Sequence, residues 1–281
     1  MSGFTLAHSD QAASRDRAAH ARMRWGLVVV GLIALFAIAG PMLIGIDPAA
    51  QNLSNSLLAP SSVHWLGTDV LGRSVLARLA AAAQLSLGLA LLAAVSAALP
   101  GVLLGIVAGW CGGWVERALV MLADAVLSIP GLLLVLLFAA LAPGQYWAIY
   151  LGLSLTMWVE YFRVTRATCR PVLAGDAVQA SRLLGFGSIY IVRRHVLPAL
   201  APYLATLLAF STAQAVLALA ALGFIGVGLQ PPTAELGLMM IEFLPNYAEA
   251  PWLITAPVCL LMLLVLAMVL VTDGTARESS V

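Results

Sequence analysis

Long runs without a single charged residue constrain this chain more than any other feature of its sequence. Residues 25–46 contain no charge, and neither do residues 79–115. A bilayer core about 30 Å thick needs about 20 apolar residues in helical conformation, so each run is long enough to cross one. Charged residues make up only 10% of the chain, whereas soluble domains carry about 25%. The sequence therefore predicts an all-α integral membrane protein, because helices satisfy their own backbone hydrogen bonds in lipid.

Charged and turn-forming residues between the runs predict about six transmembrane helices. Pro143-Gly144 divides one long apolar stretch into two spans, and Pro130 predicts a kink or break inside the first of them. The expected spans are residues 25–46, the second within 79–115, about 118–142, about 146–166, the fifth within 199–229, and 252–271. Residues 230–237, with the sequence QPPTAELG, are expected to form a loop.

Arginine supplies all 14 basic residues and indicates the orientation of the chain. With the N-terminus inside, every arginine except Arg73 and Arg78 falls on the cytoplasmic side, which is the bias typical of membrane proteins. An odd number of spans would move Arg277 outside, and Ala37-Ile38-Ala39 leaves open a signal-peptidase site. The expected segments are a cytoplasmic tail 1–24, a first transmembrane helix 25–46, an extracytoplasmic segment 47–79, a transmembrane core 80–272 that includes a cytoplasmic loop 170–198, and a cytoplasmic tail 273–281.

A polar segment, residues 176–198, separates the fourth and fifth expected spans. Asp176 followed by Gln179 resembles a capping box, and Gly185 can adopt the left-handed conformation that ends a helix. These signals predict a short helix of about two turns. Its apolar edge has no core of its own, so a groove on a soluble partner would bury that edge. An ordinary loop between spans is the alternative that these residues leave open.

Several motifs of this chain resemble those of ABC importer permeases. Gln179-Ala180-Ser181, Gly185 and Arg194-His195-Val196-Leu197-Pro198 follow the order of the family's EAA loop, which reads Glu-Ala-Ala, three residues, Gly, then Arg-His-hydrophobic-Leu-Pro. Residues 64–73 and 223–232 resemble the outer-loop and fifth-span motifs of the peptide/nickel branch, "C" subunit type. Gln179 stands where the family has an acid, and Ser181 stands where it has a second Ala.

The resemblance implies a type I ABC importer permease fold with both termini in the cytoplasm and a multi-pass location in the bacterial inner membrane. It also implies a coupling helix that docks on an ATP-hydrolysing subunit, with the coupling residues Gln179, Ala180, Ser181, Gly185, Arg194, His195 and Pro198. The implied partners are a second homologous permease, two ATP-binding subunits or domains, an extracytoplasmic solute-binding protein and membrane lipid. ATP and Mg²⁺ would bind to the partner subunits, since a Walker A loop needs the Lys that this sequence lacks.

Polar residues in the fifth span are the candidates for a translocation pathway. Contacts between helices are the alternative role for such small polar side chains. The candidates are Gln214, which leads, with Ser211 and Thr212. Asp124 and Glu160, near the cytoplasmic ends of the third and fourth spans, are expected to pair with Arg117 and Arg163, with gating and proton coupling as alternatives.

The expected function is the membrane-spanning subunit of an ATP-driven importer, with no catalytic residue and no bound cofactor on this chain. Di- and oligopeptides are the favoured cargo, and nickel or a metal chelate is the alternative within the same branch. A stand-alone secondary transporter is the alternative of another class, although no internal repeat is evident. His64 and Asp69 are too few for a metal site, so none is expected. The net charge of +1 gives no reason to expect nucleic-acid binding.

Overall fold

Helices account for nearly the whole length of this computed structural model, which describes the backbone of residues 2–278 and the side chains of residues 20–272. The helices are α1 (Ser2–Ile44), α2 (Val75–Cys111), α3 (Gly113–Leu127), α4 (Gly131–Leu141), α5 (Tyr146–Ala174), α6 (Asp176–Leu183), α7 (Ser188–Ile191), α8 (Leu197–Ile225), α9 (Leu236–Phe243) and α10 (Pro251–Glu278). A π-helical turn, Val192–Val196, joins α7 to α8. The predicted all-α fold is confirmed. The side chains of Arg15, Arg17 and Arg277, in the predicted tails, lie outside this description.

Four stretches among the described residues are long and apolar enough to cross a membrane. They are His20–Ile44 within α1, α2 itself, Ser188–Ile225, and Pro251–Thr272 within α10. Together, α3 and α4 pass the same test as one span bent by 71°. The predicted fourth span corresponds to α5, which is less apolar because its second half carries Glu160 and three arginines. Five of the six predicted spans are therefore present as apolar helices.

Helix α5 nevertheless runs through the bundle beside α2. A Cβ added to Gly101 would lie 2.5 Å from the Trp158 carbonyl oxygen, and one added to Gly109 would lie 2.9 Å from the Cβ of Cys169. Glycine on α2 thus permits a close approach of the two helices. Since the contacts advance along both helices in the same sequence direction, α2 and α5 are parallel. The chain between them must return across the bundle, and the α3–α4 pair supplies that crossing.

The break between α3 and α4 lies at the proline that predicted it. Pro130 precedes the first residue of α4 with a ψ of 125°, which a continuing helix would not allow. The third span begins at Gly113, earlier than the expected residue 118. The reason is a pair of glycines, Gly112 and Gly113, whose φ values of +62° and +55° end α2 and turn the chain within two residues.

Helices α1 and α10 form an antiparallel pair. A Cβ added to Gly26 would lie 2.7 Å from the Ala267 carbonyl oxygen, in the second half of α10. Phe36, ten residues further along α1, packs in a cluster that contains Leu253, near the start of α10. The start of α1 and the end of α10 therefore lie on the same side of the bundle, as an even number of crossings requires.

The connection between the fifth and sixth spans contains a helix that the sequence analysis missed. The expected loop holds up to Glu235, but α9 begins at Leu236 and is almost wholly buried. A Cβ added to Gly237 would lie 1.9 Å from the Ala220 carbonyl oxygen, so α9 touches the backbone of α8. The bundle thus has two distinct ends. The α6 end holds α6 and the junctions beside it, and the α9 end holds α9 and the starts of α2 and α10.

Candidate functional site

The short helix predicted in the polar segment is present as α6, Asp176–Leu183. The expected capping box is wrong, because Gly175 occupies the N-cap position and no side chain caps the helix. Gln179 instead donates a hydrogen bond from Nε2 to the Ala174 carbonyl oxygen at 3.1 Å. That carbonyl belongs to the last turn of α5, where backbone acceptors lack partners within the helix. Gln179 therefore ties α6 to the end of α5.

Gly185 ends α6 in the way the sequence predicted. Its φ of +82° lies in the left-handed region. The Gly185 N–H donates to the Arg182 carbonyl at 3.0 Å, and the Phe186 N–H donates to the Ser181 carbonyl at 3.0 Å. This pair of bonds is the Schellman motif, which satisfies the last acceptors of the helix. The chain can therefore turn sharply after α6 without leaving buried carbonyls unpaired.

One side of α6 is buried against the helical bundle. Val178 is 1% exposed and belongs to an apolar cluster with Leu173 of α5 and Leu200 of α8. Ser181, three residues after Val178, lies on the same side of the helix and is also buried. Its Oγ donates to the Ala177 carbonyl oxygen at 2.8 Å and lies 3.0 Å from His195 Nε2. The helix α6 is thus held between the two long helices on either side of it in sequence.

The opposite side of α6 is open. Leu183 is 90% exposed and Leu184 is 76% exposed. Ile189, across the turn, is 76% exposed, and the stacked rings of Phe186 and Tyr190 lie between. We call these five residues the apolar knob. Of the other coupling candidates, Ala180, Arg194 and Pro198 are exposed as well.

Ion pairs join α3 to α5 on the α6 side of the bundle. Glu116 accepts hydrogen bonds from Arg166 at 2.6 Å and from Arg170 at 3.0 Å, which joins α3 to α5. The expected pairing of Asp124 is confirmed, with Arg163 Nη2 at 2.7 Å from its Oδ1. Among the described residues no ion-pair partner faces Glu160, so that part of the expectation is wrong. Charged side chains concentrate at the α6 end.

The three pathway candidates are placed in different surroundings. Ser211 is fully buried, and its Oγ lies 2.7 Å from the Tyr161 hydroxyl of α5. Thr212 is buried and donates to the Leu208 carbonyl at 2.7 Å within α8. Gln214 is half-buried. Ser211 thus forms a contact between helices, Thr212 bonds within its own helix, and the pathway role of all three stays a prediction.

The α9 end holds a network of buried charges that the sequence analysis did not predict. Asp69 accepts from Arg73 Nε at 2.6 Å and from Arg78 Nη1 at 2.7 Å, and all three side chains are at most 5% exposed. Glu242 of α9 accepts from Nη2 of both arginines. The guanidinium of Arg78 also lies over the Phe243 ring, 5.6 Å from its centroid. This charge network joins the segment between α1 and α2, the start of α2 and the end of α9.

A second buried acid begins α9. Glu235 is 2% exposed and caps the helix, with Oε2 accepting from the Leu238 N–H at 2.8 Å. A Cβ on Gly223 would lie 2.1 Å from Oε2, so α8 needs a glycine at this position. Nothing in the sequence distinguished Glu235 from a loop residue. Among residues 20–272, no group of three or more His, Cys, Asp or Glu side chains is placed to hold a metal ion.

Two family models match this chain. The model described as the binding-protein-dependent transport system inner membrane component matches residues 101–277. The model described as the N-terminal TM domain of oligopeptide transport permease C matches residues 20–60. The first match runs from the second half of α2 to the last turns of α10, and the second covers most of α1 and the residues just after it.

Curated proteins and one solved structure are similar as well. The dipeptide transport system permease protein DppC of Escherichia coli (strain K12) is 41% identical over 258 residues, which cover 89% of this chain and 85% of that protein. The nickel transport system permease protein NikC of the same strain is 31% identical over 252 residues, with 90% and 91% covered. An inward-facing structure of the MetNI methionine ABC transporter superposes with a TM-score of 0.51 at 20% identity, covering 70% of this chain and 92% of that one. The last similarity concerns the fold alone.

Proposed function

The chain belongs to the family of inner-membrane components of binding-protein-dependent transport systems, and on this premise we propose that it couples ATP hydrolysis on partner subunits to peptide import. The family model covers residues 101–277, and a relative 41% identical covers most of the chain. The protein is therefore a multi-pass permease subunit of the inner membrane. Its partners and its orientation are inferred from the α6 end of the bundle, and its cargo is inferred from its relatives.

The apolar knob is the observation that carries the proposal. Leu183 and Leu184 are exposed at the end of α6. Val178 and Ser181, on the other side of this helix, are buried between α5 and α8. Burying a leucine side chain stabilises a complex by about 1.5–3 kcal/mol, so a patch of this kind favours a partner groove. The partner we propose is an ATP-binding subunit, which also holds ATP and Mg²⁺.

The orientation of the chain follows from the same end of the bundle. Arg163, Arg166 and Arg170 of α5 lie at the α6 end together with Arg182, Arg193 and Arg194. Arginine accumulates on the cytoplasmic side of membrane proteins. We therefore place the α6 end and both termini in the cytoplasm. A second homologous permease would complete the translocation pathway, and a solute-binding protein would deliver cargo to the α9 end.

Peptide is the favoured cargo because the relative named for dipeptide transport, DppC of Escherichia coli, is 41% identical to this chain. Nickel is the second candidate, since NikC is 31% identical over a similar length. Uptake of a radiolabelled dipeptide and of nickel, measured in cells with and without the chain, separates the two. Loss of dipeptide uptake alone supports the first, and loss of nickel uptake alone supports the second.

The coupling role is tested by co-purification in mild detergent. The variant Leu183→Glu/Leu184→Glu should lose at least about tenfold of the co-purified ATP-binding subunits, because two charges would enter an apolar groove. The matched control is Tyr247→Glu, an exposed aromatic residue at the α9 end, which should leave the yield of these subunits unchanged. Equal yields from both variants, or a wild-type chain that brings down no ATP-binding subunit, would contradict the proposal.

A further inference from the structure

The Ser181 hydroxyl takes part in two hydrogen bonds. A hydroxyl has one proton to donate, and the Ala177 carbonyl at 2.8 Å can only accept it. The contact with His195 Nε2 at 3.0 Å must then run the other way, with the imidazole N–H donating to the serine oxygen. His195 therefore carries a proton on Nε2. This single bond crosses from α6 to the segment that leads into α8.

His195 is placed for this bond by an unusual stretch of backbone. It lies in the π-helical turn Val192–Val196, where the Leu197 N–H donates to the Val192 carbonyl five residues earlier. A π turn inserts an extra residue and changes the direction in which side chains leave the helix, and such turns are frequent at functional sites. The Tyr190 ring contacts His195 edge-on at 6.3 Å between centroids. The imidazole is thus held from two sides at the base of α8.

The remaining contacts of α6 do not fix its position along α8 in the same way. Val178 meets Leu200 through apolar contact, which has no preferred direction. The bond from Gln179 to the Ala174 carbonyl ties α6 to α5 and not to α8. A hydrogen bond requires both a distance and an angle, so it transmits a displacement that apolar surfaces can absorb by sliding.

We propose that Ser181 and His195 are positioning residues, whose hydrogen bond is the joint through which a displacement of α6 is passed to α8. The inference rests on the proposed function, because it takes the displacement to come from an ATP-binding subunit docked on the apolar knob. Neither residue touches the cargo or ATP. Their role is to keep α6 and the base of α8 moving as one body.

The test measures the two helices separately in the whole transporter, reconstituted in nanodiscs with its partner subunits. Nitroxide labels at Ala177 of α6 or Phe224 of α8, each paired with one at Trp114 of α3, report displacement on addition of Mg-ATP and vanadate. All three positions are exposed, and the native cysteines, Cys111, Cys169 and Cys259, are replaced beforehand. The wild type should show movement at both helices.

Removing either side of the joint should separate the two movements. With Ser181→Ala or His195→Ala, the α6 label should still move, while the ratio of displaced to undisplaced α8 falls about fivefold, as the loss of one net hydrogen bond predicts. The double variant should be no worse than either single one, since both remove the same bond. Ser181→Thr and His195→Gln keep an acceptor and a donor in place and should restore the α8 movement.

Ser188→Ala is the matched control, an exposed serine seven residues away, and it should behave as wild type. Full α8 movement in Ser181→Ala and His195→Ala would overturn the joint while leaving the coupling function in place. Failure of the Thr and Gln variants to restore the α8 movement would also overturn the joint. The loss of movement in the Ala variants would then be explained by reduced local stability and not by the missing hydrogen bond. An α6 label that stays still in the wild type would overturn the coupling function itself.

Discussion

The two ends of the bundle handle charge and exposure in opposite ways. At the α9 end, the charge network closes Asp69, Arg73 and Arg78 inside the protein, and α9 is buried against α8. At the α6 end, the ion pair of Asp124 with Arg163 is half-exposed, and the apolar knob faces outward. The difference separates the end where this chain maintains its own shape from the end where we propose that another protein docks.

Burial decides how much each set of charges matters to the fold. A carboxylate enclosed with two guanidinium groups cannot be removed without leaving uncompensated positive charge in an apolar interior. An exposed pair loses little when one partner is removed, because water replaces it. The two ends should therefore differ in their tolerance to substitution, which three sets of variants test.

The largest effect is expected from Asp69→Ala at the α9 end. It leaves Arg73 and Arg78 with Glu242 as their remaining shared carboxylate, and the free energy of unfolding should fall by about 3–5 kcal/mol. The measurement is the temperature at which the purified chain loses its monodisperse peak in detergent. Asp124→Ala is the matched control at the α6 end. If both variants lower that temperature equally, the charge network is not what stabilises the α9 end.

A smaller effect is expected from Gly237→Ala, which tests close packing instead of charge. The new Cβ would lie 1.9 Å from the Ala220 carbonyl oxygen, so α9 must move away from α8. We expect a loss of about 1–3 kcal/mol in the free energy of unfolding. Gly187→Ala at the α6 end is the control, because a Cβ there meets nothing within 4 Å. A Gly237 variant as heat-stable as the Gly187 variant would show that α9 can shift at no cost.

The smallest effect is expected from Arg163→Ala. Its bond to Asp124 joins two side chains that are 52% and 56% exposed. Removing such a pair should change the free energy of unfolding by less than about 1 kcal/mol. The same thermal measurement applies, with Arg78→Ala as the buried counterpart. A loss from Arg163→Ala as large as that from Arg78→Ala would end the distinction between the two ends.

The features that lipid imposes could be predicted from the sequence, and the features that tertiary contacts impose could not. Charge-free runs and Pro130 indicated the apolar spans and the break, because a bilayer sets the length of a span and proline interrupts a helix. Helix α9 has only 8 residues and follows a segment rich in turn formers, so its apolar pattern was too short to distinguish from a loop. Its burial comes from tertiary contacts with α8 and α10, the helices on either side of it in sequence, and with the distant α2.

The candidate site likewise contains features that the sequence predicts and features that it does not. Gly185 and the extent of α6 follow from local backbone chemistry, and both were predicted. The capping box was wrong because the Gln179 side chain donates to the Ala174 carbonyl at the end of α5 and does not accept from the N–H at its own helix start. The bond from Arg78 to Glu242 joins residues far apart in sequence, and the bond from His195 to Ser181 joins two residues of the polar segment whose contact the linear order does not reveal.

The bend between α3 and α4 also constrains how the chain enters the membrane during synthesis. Helix α4 has 11 residues and α3 has 15, which correspond to about 16 Å and 22 Å, and neither matches a hydrocarbon layer about 30 Å thick. Neither half can be released into lipid alone, so the translocon must pass both sideways as one unit. Helix α5, with its arginines, then has α2 already beside it to shield its polar residues as it leaves the channel.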